Sequence, residues 1–169
     1  ELEEALTAKE DWDKLALVRE SSELATMHYV RQGAPKGLGH AVLCAAQHVG
    51  REPFAVLLGD DLIDQKDPLL VRMIDIRNQY GGSVVALMEV DAEEVSLYGC
   101  AAVEATAEDD VVMITDLVEK PAAGTAPSRW IVIGRYVCDP EVFDVLRETP
   151  PGRGGEIPLT HALKVPAAQ

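Results

Sequence analysis

Two apolar segments separated by a helical one constrain the fold of this chain more than any other feature. Residues 54–58 and 83–90 are apolar without regular alternation, which is typical of strands that are buried on both faces. Between them, residues 68–78 read as a helix that begins at a proline and is closed by Gly81-Gly82. This alternation of strand and helix predicts an α/β fold, with a mostly parallel central sheet flanked by helices.

Periodicity and turn residues predict the other elements. The alternation of strands and helices ends after Val90. In the segment that follows, the acidic cluster Glu108-Asp109-Asp110 is predicted to form the solvated tip of a hairpin. Further helices are predicted over residues 1–25, 41–49, 140–147 and 159–164, and further strands over residues 27–30, 100–105, 111–118 and 130–138.

Charge and composition exclude several functional classes. The chain of 169 residues has 15 basic and 29 acidic side chains and a net charge of −14. This charge argues against a nucleic-acid binder or a membrane binder, because both need a basic surface. Cys44, Cys100 and Cys138 form no C-x-x-C pair, and the first residues do not read as a signal peptide. We therefore expect a cytoplasmic protein with reduced cysteines.

The strongest single motif is a glycine-rich turn in front of the helix predicted over residues 41–49. Gly33, Gly37 and Gly39 would let backbone amides approach a ligand closely, at the positive end of that helix. Gln32 precedes the turn, and its amide side chain can pair with a donor and an acceptor on a base edge. The alternative, that the glycines form only a turn, stays open at this point.

Charged residues follow two predicted strands. Asp60-Asp61 comes after the buried strand 54–58, where a carboxylate beside a phosphate can hold Mg²⁺ or where Asp60 simply caps the next turn. Glu119-Lys120 follows the strand 111–118. This pair can hold sugar hydroxyls and a phosphate, or it can be an ordinary exposed ion pair.

Taken together and in order, these motifs closely resemble bacterial UTP–glucose-1-phosphate uridylyltransferases. The resemblance runs over nearly the whole chain, and its most specific part is the segment from Arg31 to Ala41. The motifs that carry it are Arg31-Gln32-Gly33, Lys36 to Ala45, Phe54 to Asp61, Tyr98-Gly99, Val118 to Pro121, Ile133 to Val137 and Gly154 to Thr160.

The resemblance implies a Rossmann-like nucleotidyltransferase fold and a Mg²⁺-dependent reaction. In that reaction UTP and glucose 1-phosphate give UDP-glucose and pyrophosphate. It also implies roles for single residues: Gln32 and Gly37 contact the uracil, Asp60 binds the metal, Gly99 and Glu119 hold glucose hydroxyls, Lys120 meets the sugar phosphate and Gly134 lines the sugar pocket. Asp60 and Lys120 are the expected catalytic residues.

The resemblance further implies how the chain is organised. Residues 1–169 are expected to form one incomplete nucleotidyltransferase domain, with a nucleotide-side half over 1–90 and an antiparallel, sugar-binding half over 91–169. We expect the chain to begin after the glycine-rich triphosphate loop of the family and to end before its C-terminal part, which is used for homo-oligomer contacts. Two alternatives remain: a thymidylyltransferase-like enzyme, and a domain that binds a sugar nucleotide without catalysis.

Overall fold

The computed structural model describes residues 1–64 and 66–164. The chain divides into two compact units, the first formed by Glu1–Arg31 and the second beginning at Gln32. Within the described residues, no helix combines the length and the hydropathy that crossing a membrane requires.

The first unit contains two helices where the sequence predicts one. Helix α1 spans Leu2–Ala8 and helix α2 spans Trp12–Glu23. The break lies at Glu10, whose φ of 55° is in the left-handed region and cannot continue a right-handed helix. Asp11 then caps α2, because its carboxylate accepts hydrogen bonds from the backbone N–H and the Nζ of Lys14 at 3.4 and 2.8 Å.

The strand predicted over residues 27–30 is wrong. This segment pairs with no described strand, and the side chain of Tyr29 is 89% exposed. Alternation of apolar and polar residues identifies a strand only when a partner strand is available, and here none of the described ladders reaches the segment.

The second unit is built on a five-stranded sheet in which β5 is central. Strand β2 pairs along one side of β5, and β1 and β3 share the other side. Strand β4 completes a hairpin with β3. The strands are β1 Phe54–Leu57, β2 Val84–Glu89, β3 Gly99–Ala105, β4 Val112–Glu119 and β5 Trp130–Cys138.

The prediction of a mostly parallel sheet is wrong for the described residues, because every ladder among these five strands is antiparallel. Strands β1 and β2 do run in the same direction, as the intervening helix requires, but β5 lies between them and runs opposite to both. Strand β1 is also not buried on both faces, since Ala55 and Leu57 are exposed. The antiparallel hairpin predicted after Val90 is confirmed by β3 and β4.

Helices cover both faces of β5, which confirms the α/β class. Tyr136 and Cys138 point into a core that packs against α3, α6 and α7, whereas Val137 points the other way and meets Met73 of α5. The stacked rings of Phe54 and Phe143, 4.6 Å apart, join β1 to α6. The helices of this unit are α3 Leu38–Cys44, α4 Ala46–Val49, α5 Leu69–Tyr80, α6 Glu141–Glu148 and α7 Leu159–Leu163.

The acidic tip of the β3–β4 hairpin is docked on α5. Arg72 donates to Asp110 at 2.8 Å and also pairs with Glu108, whose carboxylate accepts from the hydroxyl of Tyr80. The hydrogen bond from Tyr80, followed by the contact with Arg72, lowers the pKa of Glu108. The hairpin tip is therefore where the sequence predicts it, but two of its three acids, Glu108 and Asp110, are ion-paired rather than simply solvated.

Candidate active site

A cavity of about 290 Å³ lies where three distant parts of the second unit meet. The glycine turn before α3, the base of the β3–β4 hairpin and the segment 156–160 form its walls, and two β5 side chains complete them. The lining residues are Gly37, Leu38, Leu97, Tyr98, Gly99, Glu119, Lys120, Val132, Tyr136, Glu156, Pro158, Leu159 and Thr160. Four residues predicted from the sequence, Gly37, Gly99, Glu119 and Lys120, are thus brought together.

The hairpin register places Gly99 beside Glu119. These two residues are partners across β3 and β4, and Thr160 Oγ1 donates a hydrogen bond to Glu119 Oε2 at 3.0 Å. A Cβ atom at position 99 would lie 3.1 Å from the methyl group of Thr160 and 3.4 Å from Glu119 Oε2. Glycine at this position therefore leaves room for the carboxylate and its hydroxyl donor.

Lys120 turns the chain at the end of β4. Its φ of 42° is in the left-handed region, which is uncommon for a residue with a Cβ atom. Its backbone N–H donates to the carbonyl of Tyr98 at 3.0 Å, so the turn is tied to the start of β3. Backbone strain of this kind is concentrated at functional sites, where the surrounding structure holds it.

The glycine turn packs directly against the backbone of the C-terminal segment. The N–H of Gly39 donates to the carbonyl of Ile157, and the N–H of Ile157 donates to the carbonyl of Lys36, both at 2.8 Å. A Cβ atom at Gly39 would lie 2.7 Å from that Ile157 oxygen, and one at Gly37 would lie 3.0 Å from Glu156 Cβ. The glycines therefore do more than form a turn, because they allow two backbones to form one wall of the cavity.

Gln32 is held by two hydrogen bonds at the entrance of this turn. Its Nε2 donates to the carbonyl of Gly37 at 3.1 Å and lies 2.9 Å from Nδ1 of His40. Because both amide hydrogens are directed into the protein, Oε1 is the atom that remains to meet a ligand. His40, which does not line the cavity, is a partner of Gln32 that sequence reasoning missed, because it lacks metal-ligand spacing and its only signal is its place beside the glycines.

Gln32, Asp60 and Gly134 do not line the cavity. Asp60 is exposed in the turn after β1. The neighbouring Asp61 accepts a hydrogen bond from the backbone N–H of Gly134 at 2.8 Å through Oδ2. A Cβ atom at Gly134 would lie 2.2 Å from that oxygen and 2.7 Å from Leu58 Cβ, so glycine is required for β5 to approach the turn.

The donor set near Asp60 suits a metal that is held mainly by its substrate. No group of three or more His, Cys, Asp or Glu side chains arranged for a metal occurs in the described parts of the chain. Mg²⁺ is commonly bound by one or two carboxylates together with phosphate oxygens and water. Asp60 offers one exposed carboxylate, whereas Asp61 is already engaged by Gly134.

Tyr136 is a second side chain that sequence reasoning did not select. It lies on β5, is 4% exposed and lines the cavity. Burial, and then the negative charges of Glu119 and Asp61, raise its pKa to about 12. The phenol therefore stays neutral and can donate a hydrogen bond at any physiological pH.

Comparisons with known proteins identify the family of this chain. The sequence model of the family described as nucleotidyl transferase matches residues 2–163. A UTP–glucose-1-phosphate uridylyltransferase of Bacillus subtilis is 44% identical over 164 residues, which cover 97% of this chain and 56% of that protein. The chain thus spans little more than half the length of this curated relative.

Solved structures show the same relationship. A UDP-glucose pyrophosphorylase complexed with UDP-glucose superimposes with a TM-score of 0.82 at 44% identity, covering 94% of this chain and 60% of that one. A structure described as a putative glucose-1-phosphate thymidylyltransferase of Bacillus anthracis is more distant, with a TM-score of 0.61 at 27% identity, covering 80% and 50%. The chain belongs to the nucleotidyl transferase family, and its relatives include bacterial UTP–glucose-1-phosphate uridylyltransferases.

Proposed function

We propose that the protein carrying this chain transfers a uridylyl group from UTP to glucose 1-phosphate, which gives UDP-glucose and pyrophosphate. The observation that carries the proposal is the cavity, which combines a carboxylate and an ammonium group at one strand end with the glycine turn. The names of the relatives, and the UDP-glucose bound in one neighbouring structure, support the same substrates.

The cavity suggests how the two substrates divide between its walls. Glu119, held by Thr160, accepts hydrogen bonds from glucose hydroxyls next to the backbone of Gly99. Lys120 attracts the sugar phosphate. On the opposite wall, Gly37 meets the uracil. Gln32 lies outside the cavity lining but is hydrogen-bonded to Gly37, and its Oε1 is an acceptor that suits the uracil N3–H.

The proposed reaction needs no covalent intermediate. A phosphate oxygen of glucose 1-phosphate attacks the α-phosphorus of UTP, and the bond to pyrophosphate breaks in line with it. Catalysis then consists of positioning the substrates and offsetting the repulsion between two anions, which the ammonium group of Lys120 does directly. Mg²⁺ bound to Asp60 and to the phosphates would supply further neutralisation. Gly134 supports this arrangement through the turn that carries Asp60 and Asp61.

Three expectations from the sequence belong to the same proposal. The enzyme works in the cytoplasm, the halves 1–90 and 91–169 serve the nucleotide and the sugar, and the full-length protein is a homo-oligomer. Strand β5 belongs to the sugar half but pairs with β1 and β2 of the nucleotide half. The two halves are therefore proposed as functional regions and are not separate packing units.

Pyrophosphate release from UTP and glucose 1-phosphate tests the proposed function. We expect the wild-type protein to be active and Asp60→Ala to lose at least about 100-fold in kcat, which is typical of removing an electrostatic stabiliser. Asp75→Ala is the matched control, because Asp75 is an exposed acid on α5 outside the cavity.

Two results would contradict the assignment. Unchanged turnover of Asp60→Ala removes the metal role of this residue. A clear preference for dTTP over UTP in the same assay would show that the enzyme transfers a thymidylyl group and not a uridylyl group. Calorimetry of this chain with UDP-glucose separates a binding domain without turnover from an inert one.

A further inference from the structure

The amide group of Gln32 is oriented by its neighbours and not by regular backbone structure. Gln32 lies in the irregular segment before the glycine turn, outside any helix or strand. Its Nε2 is 3.1 Å from the Gly37 carbonyl oxygen. A backbone carbonyl can only accept, so the nitrogen of the amide, and not its oxygen, must face Gly37.

The second hydrogen of this amide determines where the His40 imidazole carries its proton. The amide nitrogen of Gln32 lies 2.9 Å from Nδ1 of His40, and an amide nitrogen can only donate. Nδ1 must therefore accept, which places the proton on the other ring nitrogen and leaves the ring neutral. The Cys44 thiol, 4.0 Å from Nδ1, is a weak donor and also suits an accepting nitrogen.

His40 lies on a helix that is fixed by packing and by a backbone hydrogen bond. It belongs to α3, whose Val42 is buried in the core of the second unit. The preceding residue, Gly39, donates to the Ile157 carbonyl at 2.8 Å, so the backbone beside the imidazole is held as well. A side chain on a packed helix can hold an amide from an irregular segment within the angular range that a directional hydrogen bond needs.

We propose that His40 is a positioning residue that, through Gln32, keeps a hydrogen-bond acceptor available to the nucleotide base. This inference rests on the proposed function, because it assigns a role to a residue behind the proposed uracil contact. With both hydrogens of the Gln32 amide engaged, Oε1 is the amide atom left for a ligand. This acceptor suits the N3–H of uracil or thymine and opposes cytosine, whose N3 is itself an acceptor.

The test measures the KM for UTP in the protein that carries this chain. His40→Phe keeps a ring but removes the acceptor, so we expect this KM to rise roughly 3- to 10-fold, as for the loss of one neutral hydrogen bond. The kcat and the KM for glucose 1-phosphate should change less than about 2-fold, because a base contact is the same in the ground state and the transition state. His48→Phe is the matched control, because His48 is an exposed histidine on α4 outside the cavity lining. Its KM for UTP should equal that of wild type.

Further variants separate positioning from a structural effect. His40→Asn supplies an amide oxygen near the place of Nδ1, so it should keep the KM for UTP within about 2-fold of wild type. In a Gln32→Ala background, His40→Phe should add less than about 2-fold, because the amide that His40 positions is gone. An unchanged KM in His40→Phe, an equal loss in His40→Asn, or full additivity with Gln32→Ala overturns the inference. His40→Leu, which also lacks an acceptor and is smaller than phenylalanine, takes the place of His40→Phe if thermal unfolding shows that the ring does not fit.

The same assay separates this inference from the proposed function. If wild type forms no UDP-glucose, the proposed function fails, and calorimetry with UTP then compares wild type with His40→Phe. Weaker binding by the variant still supports the inference, and equal binding or no binding to wild type overturns it. If dTTP is the preferred donor, the variants are compared with dTTP instead, because thymine presents the same N3–H. If wild type is active and His40→Phe has the same KM for UTP, only the inference fails.

Discussion

Lys120 combines an unfavourable backbone conformation with a side chain that faces the cavity. We expect Lys120→Gly to be more stable than Lys120→Ala by about 1 kcal/mol, because glycine adopts a positive φ without the Cβ penalty. Both variants lose the ammonium group, so both should bind glucose 1-phosphate more weakly than wild type. Denaturant unfolding and calorimetry measure the two effects separately.

Glu10 provides the matched control for this prediction. It has a φ of 55° in the first unit, outside the cavity. Glu10→Gly should therefore be more stable than Glu10→Ala by the same amount as Lys120→Gly is more stable than Lys120→Ala. Neither Glu10 variant should change the binding of glucose 1-phosphate. Equal stabilities of Lys120→Gly and Lys120→Ala would show that the backbone at this turn is not strained.

Single residues also show what a sequence can and cannot reveal about the site. The residue types at Gln32, Glu119 and Lys120 suggest polar recognition, but their partners are not encoded locally. Thr160 is 41 residues from Glu119 along the chain, and its hydroxyl donor could be assigned only once the fold had placed it there. The sequence predicts Tyr136 only as a strand residue, because nothing in the surrounding apolar segment distinguishes its hydroxyl group as functional.

Strand β5 buries two ionisable groups on one face, and their titration lowers the free energy of unfolding of the protein at alkaline pH. Burial, and then Asp139, raises the pKa of Cys138 from 9.0 to about 12, and burial raises that of Tyr136 from 10.0 to about 12. In both cases the native state keeps a proton that the unfolded chain releases. The free energy of unfolding is therefore unaffected below pH 9 and falls as the pH rises, by about 1.4 kcal/mol per pH unit for each group.

Two variants separate these contributions. Cys138→Ala should remove the fall between pH 9 and pH 10, where only the thiol contributes. In Tyr136→Phe, the free energy of unfolding should still begin to fall at pH 9, but it should fall less steeply than in wild type between pH 10 and pH 12. Denaturant midpoints measured across this range test both expectations, and a wild-type stability that is constant from pH 8 to pH 11 would contradict them.

At the level of elements, local patterns predicted what each segment becomes but not which segment it meets. The bounds of β5 agree with the predicted strand 130–138, and α5 begins after the predicted Pro68 and ends before Gly81. The parallel sheet was wrong because an apolar run indicates burial and says nothing about the direction of its neighbour. The strand that separates β1 from β2 is encoded more than 40 residues after β2.

At the scale of the whole molecule, the cavity depends on contacts between segments that are far apart in sequence. The glycine turn at residues 36–39 and the segment 156–160 are separated by more than 100 residues, yet two backbone hydrogen bonds join them. The second segment also carries Thr160, which holds Glu119 on the third wall. A displacement at the first contact should therefore reach the sugar side of the cavity as well.

Gly39 is the position at which this dependence can be tested. A Cβ atom there would lie 2.7 Å from the Ile157 carbonyl oxygen and 2.8 Å from Leu146 Cδ2, whereas one at Gly33 would meet no atom within 4 Å. Gly39→Ala should lower the free energy of unfolding by roughly 1–3 kcal/mol, as overpacking does, and should weaken UDP-glucose binding because segment 156–160 must move. Gly33→Ala should change stability by less than about 0.5 kcal/mol. If Gly39→Ala binds UDP-glucose as wild type does, the two backbones do not act together as one wall of the cavity.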